Sequence, residues 1–219
     1  MTTSDAGPRA ADGRVPGRRG LATRQRLLDH VAEMLAAGSY RDLRVVDVAR
    51  QAGTSPATFY QYFADVEEAV LALAEEVARV GQELLVPLVE GPRWRGREGY
   101  AAALAVVDGY LEFWADHGAV VRVLDLGTTE GDARFRQIRS RLFTRFNEAL
   151  ADRVTQERTV GDDVDPRATA GAMTSMLAHV ADHRYGFESY GIRTADVRES
   201  MGRILFTTVT GRRPPSAEA

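Results

Sequence analysis

Apolar residues in this chain recur at steps of three and four and nowhere sustain an alternation of two, the pattern of helices without strands. Order begins near Leu21. Leu27, Leu28, Val31 and Leu35 line one face of a first helix, which Gly38 is placed to stop. Val45, Val48, Ala49 and Ala52 predict a short second helix ending at Gly53. Thr54-Ser55-Pro56 then signals a helix start, because Ser accepts a capping bond and Pro has no N–H to lose in the first turn. The third helix, 56–62, is two turns long. In the fourth, Val66, Val70, Leu73, Val77, Val80 and Leu84 form one stripe, and Pro87 is expected to end it. After a Gly- and Pro-bearing loop over 90–99, helical patterns return at about 100–117, 119–126, 133–157, 166–187 and 195–210. The expectation is an all-α fold of about nine helices, with a small head (21–65) and a larger body (66–211). The Gly-, Pro-, Ala- and Arg-rich residues 1–20 and the tail 212–219 are expected to be disordered.

Charge sharpens that division. The net charge is −3, but residues 1–62 hold nine Arg against six acids while the remainder holds 19 Arg against 25. A basic head on an acidic body predicts that only one end approaches a polyanion. All 28 basic residues are Arg, a bias that a GC-rich genome accounts for. Arg14, Arg18 and Arg19 in the N-terminal arm are candidates for phosphate or minor-groove contact, alongside the alternative of a solvated tail. There is no Cys, which removes disulfides, thiol nucleophiles and thiolate zinc sites and fits a reducing cytoplasm. No run of 18 apolar residues predicts a membrane span, and the N-terminus lacks the apolar core of a secretory signal.

The densest information lies in Gly53–Phe63. Two short helices joined by a tight glycine turn make a helix-turn-helix, whose second helix can enter the major groove. Phe59 and Phe63, four residues apart, face inward. That leaves Ala57, Thr58, Tyr60, Gln61 and Tyr62 outward, a face of hydroxyls, an amide and flat rings without charge. Such a face suits phosphate oxygens and base edges, with Thr54, Ser55 and the first N–H groups of the helix turned toward phosphate.

Asp47-Val48-Ala49-x-x-Ala52-Gly53-x-Ser55-x-x-Thr58-Phe59-Tyr60-x-Tyr62-Phe63, within residues 22–70, resembles the DNA-binding domain of the tetracycline-repressor (TetR) family. The remainder resembles that family in length and helix count only. The resemblance implies a ligand-responsive regulator, commonly a repressor, dimerising through its last two long helices on a palindromic operator in double-stranded DNA. It also implies a small-molecule effector in the C-terminal body. Thr58 and Tyr60 resemble the family's phosphate and base-edge contacts, Gln61 and Tyr62 its backbone or base contacts, and Ala57 is placed to touch a thymine methyl. Three positions depart from the pattern. Arg44 stands where Thr or Ser usually opens the second helix, Val46 where some members read a base with Arg, and Val66 where a Lys commonly follows the recognition helix.

In the body, Tyr110, Phe113, Trp114, Phe143, Phe146, Met173, Met176 and His179 are candidates to line a pocket for a largely apolar ligand, each with ordinary core packing as the alternative. Asp108, His117 and Arg122 could add polar contacts. Ala168, Ala172, Met176 and Val180, then Val197, Met201, Ile204, Leu205 and Val209, could form a four-helix dimer interface. Two other readings compete. His179-x-x-x-His183 has metal-ligand spacing, but the chain has no zinc-protease pattern, G-x-S-x-G, phosphate loop or dinucleotide fingerprint, so neither catalysis nor a cofactor is expected. An architectural DNA-binder without a ligand would need a body that tolerates wrapped DNA, and this one is acidic.

Overall fold

The computed structural model describes residues 17–159 and 164–215. Among these it contains nine α-helices, one 3-10 turn at Tyr40–Asp42 and no strand. The helices are α1 (Arg18–Ala37), α2 (Val45–Gln51), α3 (Pro56–Tyr60), α4 (Val66–Glu90), α5 (Gly96–Thr129), α6 (Ala133–Glu157), α7 (Pro166–Asp182), α8 (Arg184–Ser189) and α9 (Thr194–Thr210).

The all-α expectation holds, but the agreement in helix number comes from two opposite corrections. The segments expected at 100–117 and 119–126 are one helix, α5, of 34 residues. A helical glycine costs about 1 kcal/mol. At Gly118, itself buried, that cost is outweighed because Val120, Val121 and Leu124 continue the buried pattern. Conversely, the helix expected over 166–187 breaks at His183, whose backbone (φ −106°, ψ 17°) leaves the helical region and separates α7 from α8.

Pro87 does not end the fourth helix. It lies inside α4, one turn from the end, where it forgoes a single bond to the carbonyl of exposed Glu83 while Leu85, Val86 and Val89 stay buried. The α4 stripe also changes face. Val70, Leu73 and Val77 are buried as expected, but Leu84 is 54% exposed and Ala74, Ala78, Leu85 and Val89 take over. At the N-terminus, α1 opens at Arg18, so Arg18 and Arg19, expected in a disordered arm, are exposed helical residues. The Gly17 carbonyl already accepts the Leu21 N–H at 2.9 Å. An exposed first turn leaves no apolar period to detect. Arg14 lies outside the described residues, as do residues 216–219 of the expected disordered tail.

The chain forms two compact units, and α4, α5 and α6 each contribute to both. The first gathers the described residues through Val77 with Ala119–Arg136. Its core holds Leu27, Leu28, Val31, Val48, Ala49, Phe59 and Val70, all fully buried. Arg24 bonds Glu76 at 3.0 Å with its guanidinium over the Phe63 ring, and Arg134 bridges Glu67 and Asp132.

The second unit gathers Ala78–Gly118 with residues from Gln137 onward. Trp94, fully buried, gives its indole N–H to the Val89 carbonyl at 3.2 Å. Arg198 grips Asp108 with two bonds of 2.5 and 2.6 Å, and buried Glu157 receives Arg212 at 2.7 Å and Arg95 at 3.5 Å. Tyr100 donates to Glu199 at 2.7 Å; burial, assisted by that bond, pushes its phenol up to about 12.

Candidate nucleic-acid interface

The turn between α2 and α3 is built by backbone constraints that the sequence satisfies residue by residue. Gly53 has φ +65°, a left-handed conformation that a side chain would strain. The Thr54 N–H returns to the Ala49 carbonyl at 2.9 Å and closes the turn. Ser55 then caps α3, accepting the Thr58 N–H on its hydroxyl at 3.2 Å, with Pro56 in the first turn. The Ser55 and Thr58 hydroxyls also lie 3.0 Å apart. Helix α3 is shorter than the sequence predicts, because the chain leaves the helix after Tyr60 and turns through Gln61 and Tyr62.

The orientation of α3 follows from its rings. Phe59 and Phe63 are 0% and 2% exposed, with centroids 5.5 Å apart, and they anchor the short helix. Tyr60 meets Phe59 edge to face at 5.9 Å yet remains 53% exposed. Ser55, Ala57 and Gln61 are exposed, while Thr54, Thr58 and Tyr62 are half-buried. One continuous polar and aromatic face results, free of charge. Arg44 stands at the start of α2, exposed, with no capping bond from its side chain. Val46, in the first turn of α2, is 60% exposed. Arg50 is held by Asp47 at 2.6 Å.

The body candidates sort differently. Tyr110, Phe113, Trp114, Phe143 and Phe146 are all less than 9% exposed and pack on one another, Tyr110 stacking on Trp114 at 5.3 Å and meeting Phe146 at 5.1 Å. Met173 and Met176 are half-buried and His179 is exposed. Asp108 is engaged by Arg198. His117 lies against Phe113 at 5.0 Å, and burial holds its imidazole below the usual value although Asp116 opposes the shift. Arg122 belongs to the first unit. The His179 and His183 rings stack at 4.2 Å between centroids, so their nitrogens do not converge on a point. Among the described residues no three His, Asp or Glu are grouped so as to hold a metal ion.

Open space in the second unit is found between α6 and α7. A groove of about 640 Å³ is lined by Thr144, Asn147, Glu148, Ala151, Asp152 and Arg167. A smaller cavity of about 150 Å³ beside it is lined by Arg139, Phe143, Asn147, Gly171, Thr174, Ser175 and Ala178. Of the predicted pocket residues only Phe143 borders either space. Sequence reasoning passed over Arg139 and Asn147. Their only signal was the four-residue step 139, 143, 147, which is indistinguishable from a solvated helix face.

Comparison with known proteins settles the class. Residues 27–73 match "Bacterial regulatory proteins, tetR family", and residues 85–216 match "Tetracyclin repressor-like, C-terminal domain". The chain is 29% identical over 134 residues to an uncharacterized HTH-type transcriptional regulator of Haemophilus influenzae, a match spanning 61% of this chain and 63% of that protein. The fold is similar to a TetR-family transcriptional regulator from Streptomyces coelicolor (TM-score 0.68, 14% identity, 87% of this chain and 82% of that one). It is also similar to the fatty acid degradation regulator FadR from Bacillus halodurans (TM-score 0.64, 15% identity, 92% and 100%). No helix among the described residues is long and apolar enough to cross a membrane. With a glycine-turned helix pair presenting an uncharged polar face, and with family matches over both its N-terminal and C-terminal parts, the chain belongs to the TetR family of DNA-binding transcriptional regulators.

Proposed function

We propose that this protein is a homodimeric repressor that leaves a palindromic operator when a small molecule binds its C-terminal unit. The observation that carries the reading is the outward face of α3 and of the turn that follows it. Tyr60, Gln61, Ala57, Thr58 and Tyr62 cluster there without an ionisable Arg, Asp or Glu, while Phe59 and Phe63 fix the helix from behind. A solvated surface of this kind would ordinarily be charged; a face that must exchange water for base edges and phosphate oxygens is better uncharged and directional. Ala57 meets a thymine methyl, Tyr60 and Gln61 meet base edges or phosphate, and Thr54, Ser55, Thr58 and Tyr62 contact phosphate. Arg44 provides the charged phosphate contact, and Arg18 and Arg19 add charge from the exposed first turn of α1. Two copies joined through α7 and α9 set their recognition helices about 34–36 Å apart, one turn of the duplex. The effector acts by favouring a different spacing.

The experiment is a titration of DNA from around the protein's own gene at two salt concentrations, against an unrelated duplex of equal length. Protection of one two-fold symmetric site, much tighter than the control, is the expected result. Equal weak binding to both duplexes overturns sequence-specific repression of that promoter and leaves the architectural alternative.

A further inference from the structure

The side chains that α3 and the following turn offer to a duplex belong to one half of the base-pair code. In the major groove each base shows its own pattern of donors and acceptors. Arg or Lys suits guanine and Glu or Asp suits cytosine, whereas Asn or Gln suits adenine and an apolar group suits the thymine methyl. Between Ser55 and Tyr62 the chain carries no Arg, Lys, Asp or Glu. The exposed positions there are Ser55, Pro56, Ala57, Tyr60 and Gln61. The arginines of the motif stand elsewhere: Arg44 precedes α2, and Arg50 is held by Asp47 at 2.6 Å. The Thr58 hydroxyl, 3.0 Å from that of Ser55 at the cap, suits either kind of pair and does not decide the matter.

Two side chains do decide it. Gln61 is the one amide of the segment, exposed and still in helical backbone (φ −72°, ψ −24°) just past Tyr60. Its oxygen can accept from adenine N6 while its nitrogen donates to adenine N7. Guanine shows two acceptors in the same places, N7 and O6, and sets the Gln oxygen against another oxygen. Ala57 lies four residues earlier, so it shares the face of Gln61, and it presents a bare methyl group. That methyl packs on the C5-methyl of thymine; cytosine carries only a hydrogen there. Phe59 and Phe63, two residues further on from each, are 0% and 2% exposed and hold this face outward from the opposite side.

We propose that the recognition helix reads A·T base pairs, Gln61 taking the major-groove edge of an adenine and Ala57 packing on the C5-methyl of a thymine. Each half-site then has an A·T core beneath α3, where a G·C pair finds no partner. This readout rests on the sequence-specific DNA binding proposed above, and is independent of how the chain dimerises and of any effector.

The test is selection of bound duplexes from a randomised library by the full chain and by Gln61→Ala, followed by anisotropy titration of the selected duplex. The positions at which Gln61→Ala loses its preference are expected to be A·T pairs. Placing G·C there should weaken the parent about tenfold and Gln61→Ala much less. Equal melting temperatures of the two proteins exclude a folding defect in this exposed position. Replacing thymine by deoxyuridine deletes only the C5-methyl and needs no protein variant. At one thymine of the half-site it should weaken binding about fourfold, the worth of one buried methyl group, and Ala57→Gly should lose that sensitivity. A G·C pair where Gln61→Ala changes the preference overturns the A·T readout, as does the absence of any such position. Indifference to deoxyuridine at every thymine of the half-site overturns it too. All of these leave a sequence-specific regulator in place. Enrichment of no sequence by the folded parent overturns sequence-specific recognition itself, and the A·T readout with it.

Discussion

Tyr60 and Phe59 are neighbours in sequence with opposite duties, and single substitutions separate them. Phe59 is fully buried, so Phe59→Ala opens a cavity in a small core and is expected to cost about 3–5 kcal/mol, read as a collapse of the unfolding transition. Tyr60 is more than half exposed. Tyr60→Ala is expected to leave the melting temperature nearly unchanged while specific DNA binding weakens by about 1–3 kcal/mol. Should the protein instead unfold, Tyr60 belongs to the core. Arg44 is exposed at the start of α2. Arg44→Ala should flatten the slope of log affinity against log salt by about one unit if one phosphate contact is lost; an unchanged slope removes Arg44 from the interface.

At the scale of elements, two glycines predict opposite outcomes from the same change. A Cβ on Gly99, in the first turn of α5, would stand 2.3 Å from the carbonyl carbon of Trp94, so Gly99→Ala must displace the loop that buries the indole. It is expected to lower the melting temperature. Gly171→Ala in α7 meets no atom and replaces the poorest helix former short of proline with the best, raising stability by about 0.5–1 kcal/mol. Thermal unfolding of both variants against the parent checks the pair.

The helices themselves were legible wherever one face is buried throughout. The α1 residues Leu27, Leu28, Val31 and Leu35 and the α2 residues Val48, Ala49 and Ala52 are buried as their spacing predicts. The Ser55-Pro56 start was legible too, because a cap is a local bond between near neighbours. What stayed illegible depends on partners far along the chain. Gly118 and Pro87 look like breaks until the burial of their neighbours is known, and the drift of the α4 stripe away from Leu84 reflects a change in what that helix packs against. Which side of α3 is exposed was legible in the sequence because its inward rings, Phe59 and Phe63, declare its outward side. The cavity was not, because nothing in Arg139 or Asn147 alone marks a gap on the facing helix.

For the molecule as a whole, pH tests how the charges are set. Burial depresses the His117 imidazole from its usual 6.5. The unfolded chain therefore takes up this proton at a higher pH than the folded one, and stability falls as pH drops below 6.5 toward the folded value. Asp132, held near about 2 chiefly by its bond to Arg134, acts in a lower window; its contribution is present above the ordinary carboxylate value of 3.8 and fades as pH falls toward 2. Urea unfolding at pH 7.5, 6.5 and 5.5 should show a loss of stability that His117→Gln flattens. An identical slope in that variant would assign the loss to other groups.

The burial of the two indoles has an optical consequence. The chain has two tryptophans, Trp94 and Trp114, and both lie in the second compact unit at 0% and 7% exposure. Tryptophan emission, excited at the red edge where tyrosine does not absorb, is therefore a private channel into that unit, and the exposed face around α3 carries no indole. A change in emission on adding operator would be a signal transmitted from one unit to the other, and its absence would mean that the duplex is held without the second unit noticing.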